Sequence, residues 1–436
     1  MSRTTESAAR GGAITDAAAS NSVSAICAAA KVASRVLASA SSEQKDRALA
    51  ILAELIEQRA EQILGANQAD LSDPRAIGLE PALLDRLELN AARVAAIAAG
   101  VRAVIALADP VGEVLEARTI EAGVELEMRR VPIGVVAVVY EARPNVTIDC
   151  AALCLKSGNA IVLRGSSYAA RSNRVLSEIV VEALHAAGLP ADAVALLDGA
   201  DRAEMAELVT QDGVVDLVIP RGGEGLKNAL KEVATVPVIY AASGNCHVYV
   251  DLGADLGKAL AIILNAKTQR PGVCNAAETL LVHRGAAADF LPEALAALSE
   301  AGVELVGDEA TRALAAPVAV GRADEEDYRT EYHALKLCVA VVASLDAAIA
   351  HVNRYGSGHS DAIVTGSPTS AQRFAAEVDS ACVYINASTR FTDGFVFGLG
   401  AEIGNSTQKL HARGPIGLRE LCTYKYVLSG DGAVRG

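Results

Sequence analysis

Short, uninterrupted apolar runs most limit how this 436-residue chain can fold. A strand that is covered on both faces of its sheet needs no polar positions, so such runs are typical of parallel strands between layers of helices. Parallel strands also need long crossover connections, and the segments between the runs have helical spacing. A first series of predicted strands covers residues 134–139, 160–163, 194–197, 214–219 and 236–240, with one connecting helix at 173–187.

A second series of apolar runs follows Cys274 and covers residues 278–283, 338–342, 362–365 and 383–386. Two series of alternating strands and helices predict an α/β fold with two lobes, each built on an open parallel sheet. Ligands of such sheets bind beyond the carboxyl ends of the strands. Functional residues are therefore expected in the loops that follow the strands.

The segments outside the two series have different patterns. Residues 22–107 carry apolar side chains at helical spacing, which predicts a helical opening segment. Alternation of apolar and polar residues from 116 to 129, around Gly123, predicts a β-hairpin with one wet face. Such a hairpin suits either subunit contact or a bridge between domains. The Ser-, Ala- and Gly-rich residues 1–20 are expected to form a flexible tail.

Charge and cysteine content argue against several classes of partner. The formal net charge of -14 is unfavourable for binding to nucleic acid or to an anionic membrane surface. No run reaches the ~18 apolar residues of a membrane span, and the start of the chain lacks the apolar core of a secretory signal. Eight cysteines, mostly with apolar neighbours, are typical of a reducing compartment. We expect a cytoplasmic protein.

Cys274 differs from the other cysteines because it lies in a polar stretch, residues 265–275, that is broken by proline and glycine. This stretch is predicted to be a loop. An exposed thiolate beside Lys267 and Arg270 attacks carbonyl carbon well and forms a thioester, so the sequence indicates covalent acyl chemistry. A surface cysteine without a role is the alternative that this context leaves open.

The loop after the first predicted strand contains Asn145, directly after Pro144. Proline disfavours helix in the residue before it and is common at helix starts, so a helix is predicted to begin here. Two roles fit Asn145. Its side chain caps this helix, or its amide donates to an oxygen that becomes negative during catalysis.

Two further loops carry groups that suit a nucleotide. Lys156 lies on the last turn of the helix that follows Asn145, where a lysine also complements the helix dipole and needs no ligand. Arg164 and Ser166 flank a glycine after the next strand, which is a composition that suits a phosphate nest. A plain loop is the alternative for this pair.

A glycine cluster with Arg221, Gly222 and Gly223 precedes a predicted helix, whose amide groups can approach a pyrophosphate. The chain contains no Gly-x-Gly-x-x-Gly, so a nucleotide site here requires a variant of the usual fold.

The seven histidines are scattered and none has zinc-site spacing, so we expect no catalytic metal. His359 is either an acid/base candidate or a loop histidine that hydrogen-bonds to backbone.

Four strings of the sequence, in order, resemble the aldehyde dehydrogenase superfamily, in a branch that reduces an acyl phosphate. They lie at residues 131–146, 267–275, 356–361 and 398–417, within a resemblance that spans about residues 22–430. The resemblance implies the following domains: a cofactor-binding domain at 21–112 and 134–264, a β bridging or oligomerisation element at 113–133 and 418–436, and a catalytic domain at 265–417.

The resemblance also implies an activity, which is the NADPH-dependent reduction of L-glutamyl 5-phosphate to L-glutamate 5-semialdehyde with release of phosphate, in proline synthesis. A homo-oligomer and functional coupling to glutamate 5-kinase are further expectations. Cys274 aligns with the nucleophile of the superfamily, and Asn145 aligns with an oxyanion-hole asparagine. Lys156 and Glu331 align with contacts to the two riboses of the cofactor, and residues 221–223 align with the pyrophosphate loop.

Arg390, Ser388, Thr389 and Asp393 form a polar cluster at the start of a glycine-rich stretch that ends at residue 404. A guanidinium and a carboxylate suit the α-carboxylate and amine of an amino-acid substrate. We therefore predict that this cluster binds the substrate. Solvated surface is the alternative.

One departure from the superfamily pattern bears on mechanism. Aldehyde-oxidising members carry a glutamate base where this chain has Ala-Ser-Gly-Asn at residues 242–245. A thioester on Cys274 would then resist hydrolysis, which suits transfer of the acyl group to hydride or to phosphate. Two rivals stay open. An aldehyde dehydrogenase that uses water lacks its base here, and the intact Cys274 and Asn145 argue against a catalytically silent nucleotide-binding scaffold.

Overall fold

The computed structural model of the chain describes residues 22–79, 81–197, 201–240 and 243–435. Within these residues the chain forms two compact units. Unit 1 contains the residues up to 239 together with 399–403 and those from 417 onward, and unit 2 contains 240–398 and 404–416. The tail predicted at 1–20 lies outside the described residues.

Both units alternate strands with helices. In chain order the strands are β1 (Val114–Thr119), β2 (Glu125–Pro132), β3 (Val135–Tyr140), β4 (Ala160–Arg164), β5 (Val194–Leu197), β6 (Leu217–Arg221), β7 (Cys246–Val250), β8 (Ala277–His283), β9 (Glu304–Gly307), β10 (Gly321–Arg322), β11 (Lys336–Val342), β12 (Ser360–Val364), β13 (Cys382–Ile385), β14 (Asn405–Ser406), β15 (Gly414–Pro415) and β16 (Cys422–Ser429). The helices are α1 (Val23–Leu37), α2 (Ser42–Gln58), α3 (Ala60–Leu71), α4 (Pro81–Leu87), α5 (Ala91–Ile105), α6 (Asn145–Lys156), α7 (Ala170–Ala186), α8 (Arg202–Leu208), α9 (Glu224–Val233), α10 (Leu256–Thr268), α11 (Arg284–Glu300), α12 (Glu309–Ala313), α13 (Leu345–Tyr355) and α14 (Pro368–Glu377).

Unit 1 is built on a four-stranded parallel sheet with the spatial order β5-β4-β3-β6. Every residue of β3 is buried, as its unbroken apolar run predicts. Tyr140 ends this strand, and its hydroxyl hydrogen-bonds to Thr147 on α6 at 2.7 Å. Thr147 in turn donates to Asn173 on α7 at 3.2 Å. These buried contacts fix the start of α6 against the carboxyl end of β3.

The predicted hairpin is confirmed as β1 and β2, which pair antiparallel. The C-terminal strand β16 pairs with the other edge of β2, from Cys422 opposite Pro132 to Ser429 opposite Glu125. β2 is therefore the centre of a three-stranded sheet. The start of β16 is held by Asn159, whose side-chain amide donates to the carbonyl of Leu421, the residue before the strand, at 2.8 Å.

Unit 2 is built on a seven-stranded sheet with the spatial order β10-β9-β11-β8-β7-β12-β13, and all of its pairs are parallel. Neighbouring residues of β7 enter different cores. Val248 and Val250 belong to a cluster that includes helix α11, whereas Tyr249 belongs to a second cluster that includes α13 and α14. Because successive side chains of a strand point to opposite faces, both faces of this sheet are covered.

Most predicted strands are confirmed, but the strand at 236–240 is wrong. This segment makes a single bridge, between Val238 and Val218. Pro237 has no N–H to donate to a ladder, which limits the pairing. β7 was not predicted, because Cys246 and His247 interrupt the apolar pattern at its start.

Helix α10 continues to Thr268, so residues 265–268 are helical and not part of the predicted loop.

The two structural units meet in the sequence between residues 239 and 240, whereas the resemblance placed the catalytic domain from 265. The central position of β7 in the unit 2 sheet accounts for this difference. Among the described residues, no helix is long and apolar enough to cross a membrane.

Candidate active site

Asn145 is the first residue of helix α6 in unit 1. Pro144 occupies the cap position, and no side chain caps this helix, so the capping role that the sequence left open for Asn145 is wrong. The Asn145 amide nitrogen instead donates to Oδ2 of Asp149, one turn along the helix, at 2.8 Å. Asn145 is partly exposed. Its side chain is thus oriented by a neighbour and still open to a ligand.

Asp149 is a functional candidate that the sequence analysis missed. Burial raises the pKa of its carboxyl group to about 6, against the opposing effects of the Asn145 hydrogen bond and the Arg221 charge. The spacing of Asn145 and Asp149 was the available signal, because residues four apart on a helix are neighbours. The charge of Arg221 also connects the predicted glycine loop to this helix electrostatically.

A small pocket lies beyond the carboxyl ends of β4 and β5. Its lining residues are Gly165, Ser166, Ala170, Asn173, Arg174, Leu196 and Leu197. Arg164 ends β4, and its guanidinium donates to the carbonyl of Asp201 at 3.1 Å. Its Nε is buried and makes no hydrogen bond to any described residue. This Nε lies 3.9 Å from a carboxylate oxygen of Glu204. The adjacent pocket fits a polar ligand beyond the carboxyl ends of the strands, where open parallel sheets bind their ligands.

Lys156 does not line this pocket. It is 1% exposed, and its ammonium group donates to Asp46 and, at 3.0 Å, to the carbonyl of Ile105. The group is therefore occupied by partners from the helical segment. Arg164 and Arg221 are instead the cations at the carboxyl ends of strands of this sheet, β4 and β6.

Arg221, Gly222 and Gly223 connect β6 to helix α9. The Gly223 N–H donates to a carboxylate oxygen of Glu141 at 3.2 Å, so the loop already presents a backbone donor to an anionic oxygen. A Cβ on Gly222 would lie 2.7 Å from the Glu141 carboxyl carbon. A side chain at Gly222 would therefore require the Glu141 and Leu226 side chains to move.

Cys274 lies in unit 2 between α10 and β8, and it is the one partly exposed cysteine, since the other seven are buried. Two contacts hold its backbone. The Cys246 thiol donates to the Cys274 carbonyl at 3.2 Å. A Cβ on Gly244 would lie 1.5 Å from that carbonyl oxygen, so a side chain at this position is incompatible with the loop. The backbone of Cys274 is thus held in place by its close contact with the backbone of Gly244.

Lys267 is fully buried at the end of α10, contrary to the exposed loop position expected beside Cys274. Its ammonium donates to Oε2 of Glu278 at 2.6 Å. Burial lowers the pKa of Lys267 and raises the pKa of Glu278 to about 7, while the attraction between the pair opposes both effects. Lys267 therefore pairs with the buried carboxyl group of Glu278, and the two residues lie on the elements before and after the cysteine loop.

Arg390 belongs to a segment that is fastened to the residue after the nucleophile candidate. Asn275 donates through its amide to the Thr392 carbonyl at 2.8 Å and accepts at its own carbonyl from the Thr389 hydroxyl at 2.7 Å. The Arg390 guanidinium donates through Nε to the side chain of Gln269 at 2.7 Å. The predicted substrate cluster thus lies beside the Cys274 loop in unit 2.

The charges around Arg390 are arranged to receive an anion. Burial lowers the pKa of its guanidinium, and the nearby charge of Arg270 lowers it further, whereas Cys274 and Asp393 act to raise it. Arg390 therefore lies within electrostatic reach of the Cys274 thiol, and Arg270 lies within electrostatic reach of Arg390. Cations of this kind favour the thiolate over the thiol and attract a negatively charged substrate.

The other members of the cluster differ in their exposure to solvent. Ser388 and Thr389 are buried, and the Ser388 hydroxyl accepts from the Arg390 N–H at 3.3 Å. Asp393 is exposed and accepts from the backbone N–H groups of Phe395 and Val396. Ser388 and Thr389 therefore shape the segment, while Arg390 and Asp393 reach solvent.

Glu331 and His359, two further candidates in unit 2, each have a partner for one polar side-chain atom and none among the described residues for the other. Glu331 pairs through Oε2 with His333 at 3.3 Å, and its buried Oε1 makes no hydrogen bond to a described residue. His359 is fully buried and its Nδ1 is 2.7 Å from the Ser360 hydroxyl, so it bonds to a side chain and not to backbone. Burial lowers the pKa of His359 to about 4. This imidazole is therefore neutral near pH 7.

Comparison with known proteins agrees with this architecture. The sequence pattern of the aldehyde dehydrogenase family matches residues 7–324 and 318–427. The chain therefore belongs to the aldehyde dehydrogenase family, and it is an oxidoreductase of the class that acts on aldehyde or oxo groups with a nicotinamide cofactor.

Within that family the chain groups with the gamma-glutamyl phosphate reductases. The enzyme of that name from Thermobifida fusca is 53% identical over 92% of this chain and 95% of its own length. The one from Kineococcus radiotolerans is 54% identical over 95% of this chain and 96% of its own length. The crystal structure of gamma-glutamyl phosphate reductase from Thermotoga maritima superposes with a TM-score of 0.92 at 45% identity, and the match covers 95% of this chain and 100% of that one.

Proposed function

We propose that the protein reduces L-glutamyl 5-phosphate to L-glutamate 5-semialdehyde with NADPH and releases phosphate, the second step of proline biosynthesis. The observation that carries this proposal is the placement of the partly exposed Cys274 within electrostatic reach of Arg390, in a chain 53% and 54% identical to two gamma-glutamyl phosphate reductases. A thiolate with a neighbouring guanidinium suits attack on an acyl phosphate.

The first chemical step belongs to Cys274. Its thiolate attacks the acyl carbon, a C–S bond forms, and the C–O bond to phosphate breaks, so that phosphate leaves and a thioester remains. We assign stabilisation of the oxyanion to the side-chain amide of Asn145 and the backbone N–H of Cys274, as the resemblance implies. Preorganised donors of this kind lower the barrier because charge develops on the oxygen only in the transition state.

The cofactor-binding residues in the proposal are Arg164, Ser166, Arg221, Gly222, Gly223 and Glu331. When bound, NADPH supplies the hydride that reduces the thioester. The guanidinium of Arg164 and the backbone N–H of Gly223 fit phosphate groups, although Glu204 and Glu141 now lie near them. The buried Oε1 of Glu331, which makes no hydrogen bond to a described residue, fits a hydroxyl group. Lys156 is not part of this set, because its ammonium is buried and paired.

Arg390 and Asp393 are proposed to bind the amino-acid end of the substrate, with Ser388 and Thr389 fixing the segment that carries them. The guanidinium suits the α-carboxylate, and the carboxylate of Asp393 suits the amine. The thioester is protected from water because residues 242–245, Ala-Ser-Gly-Asn, carry no carboxylate where aldehyde-oxidising members of the family have their base. Ala242 lies outside the described residues.

The proposal includes a cytoplasmic, homo-oligomeric enzyme that works with glutamate 5-kinase. All eight cysteines are free, which supports a reducing compartment. An acyl phosphate hydrolyses readily, and that lability is the chemical reason to expect coupling to the kinase that would make it.

The test runs the reaction in reverse, with L-glutamate 5-semialdehyde and NADP, with and without phosphate, on wild type and Cys274→Ala. We expect wild type to form NADPH only when phosphate is present, and Cys274→Ala to form none. NADPH formation without phosphate would instead identify an aldehyde dehydrogenase that uses water. An inactive wild type would indicate a silent nucleotide-binding scaffold, and an active Cys274→Ala would refute the thioester mechanism.

A further inference from the structure

We propose that Asp149 is a positioning residue that turns the amide nitrogen of Asn145 toward the developing oxyanion. The inference rests on the proposed function, in which Asn145 supplies one donor to that oxygen. Its basis is the 2.8 Å hydrogen bond from Asn145 Nδ2 to Asp149 Oδ2 within helix α6.

The chemistry of the two side chains makes this contact directional. A side-chain amide presents a donor nitrogen at one end and an acceptor oxygen at the other, and it can rotate to exchange them. Only the nitrogen stabilises an oxyanion. An ionised carboxylate accepts and cannot donate, so Asp149 selects the orientation in which the Asn145 nitrogen faces it. One amide proton then bonds to Asp149, and the second is left for substrate.

The surroundings of Asp149 favour a role for its charge. The residues that act on its carboxyl group are Asn145 on the same helix and Arg221 at the end of β6, and its charge acts in turn on the buried thiol of Cys150. Burial raises the pKa of Asp149 to about 6, so the carboxylate is the main form at pH 7.5. The acceptor is therefore present under assay conditions.

The helix that carries the pair is rigidly placed. Val146, Thr147 and Ile148, which lie between Asn145 and Asp149, are all buried. Pro144 precedes the helix and no side chain caps it, so the Asn145 side chain has no competing local acceptor role at the helix start. The i to i+4 contact is thus the interaction that sets its orientation.

A purely structural role for Asp149 is the competing explanation, since a carboxylate near a helix N-terminus also stabilises the helix dipole. The two explanations differ in how Asp149 couples to Asn145. A residue that acts through Asn145 has no further effect once Asn145 is gone. A residue that stabilises the helix has the same effect in either background.

The experiment is a double-mutant cycle with Asn145→Ala, Asp149→Ala and the combined variant, in the phosphate-dependent formation of NADPH from L-glutamate 5-semialdehyde. Asn145→Ala is expected to lower kcat by about 10² to 10³. Asp149→Ala is expected to lower kcat roughly tenfold to hundredfold, with the KM for NADP and phosphate changed less than about threefold. In the Asn145→Ala background the same substitution should change kcat less than about twofold.

Asp149→Asn serves as the conservative variant, because its carbonyl accepts the same hydrogen bond more weakly, and it should restore part of the kcat lost in Asp149→Ala. Asp192→Ala, at an exposed aspartate of unit 1, is the control and should retain wild-type kcat. Circular dichroism establishes that each variant is folded, and the cycle is repeated with Asp149→Asn if Asp149→Ala unfolds.

Equal losses in both backgrounds would overturn the positioning role and leave the proposed function intact. An Asp149→Ala variant with wild-type kcat would overturn it as well. Failure of the proposed function has a separate signature, because wild type itself would then show no phosphate-dependent NADPH formation.

Discussion

Gly244 packs directly against the backbone of the candidate nucleophile. The position of a Cβ on Gly244 is 1.5 Å from the carbonyl oxygen and 2.4 Å from the Cα of Cys274. Contacts this short are forbidden, and the obstacle is backbone, which cannot rotate aside. The glycine therefore determines where the Cys274 backbone, and with it the proposed N–H donor, can lie.

Replacement of Gly244 by alanine is expected to displace the cysteine loop and to lower kcat by about 10² or more, because a misplaced reacting group forfeits much of the gain from orientation. The measurement is the reverse reaction described above. Gly257→Ala is the matched control in the same unit, since its Cβ would meet nothing closer than 3.5 Å. Wild-type kcat in Gly244→Ala would show that the loop tolerates the displacement.

At the residue scale, the sequence pointed to single candidate side chains and not to their partners. Local context left the roles of Cys274 and Asn145 open, and the resemblance to the superfamily singled them out. Asp149 could not be singled out, because its carboxylate gains meaning only from burial and from its contact with Asn145. Lys267 was misplaced for the same reason, since its partner Glu278 lies on a different element.

At the scale of elements, the Lys267–Glu278 pair joins the end of α10 to β8 on either side of the cysteine loop. Both side chains are fully buried, and Oε1 of Glu278 makes no hydrogen bond to a described residue. A buried pair is costly to break because the remaining charge stays out of water. The two elements that flank the nucleophile candidate are therefore linked by one strong polar contact.

Lys267→Met is expected to lower the free energy of unfolding by about 3 to 5 kcal/mol, and Lys267→Met with Glu278→Gln should recover part of that loss. Without the lysine, the pKa of Glu278 rises above its present value of about 7, so the native state binds its proton more tightly than the unfolded chain does. The stability of Lys267→Met should therefore fall as the pH rises from about 4.5.

Urea unfolding at several pH values tests this prediction. The double variant is the control, because glutamine does not titrate and its pH slope should lack the Glu278 contribution. A Lys267→Met variant as stable as wild type at pH 8 would contradict the importance of the pair.

The apolar pattern of the sequence predicted strands that are apolar on both faces. It failed where a buried polar residue is stabilised by a partner on another element. The runs of β3 and β4 are apolar throughout, so their strands follow from sequence. Helix α10 continues past its apolar positions because Glu278 accommodates Lys267 on the buried face. No local pattern contains that compensation.

At the scale of the whole molecule, the three-stranded sheet depends on residues far apart in sequence. β2 is hydrogen-bonded on one edge to β1 and on the other to β16, nearly 300 residues later. Removal of β16 would leave a row of unpaired backbone groups along β2. Such an open edge is a template for association with other chains.

A chain truncated after Leu421 is therefore expected to aggregate, whereas one truncated after Gly430 keeps β16 and should behave as the full chain does. Light scattering at increasing protein concentration measures the difference. If the shorter chain has the same scattering as wild type, the exposed edge is protected by some other means.

The same arrangement has a consequence for the order in which the protein is completed during synthesis. The last segment of unit 2 ends at residue 416, and β16 begins at Cys422. Domains fold as they emerge from the ribosome, at about 5–20 residues per second. Unit 2 thus has its whole sequence before the first-made unit has its final strand, and β2 must wait for nearly the entire chain to be translated before its second edge is paired.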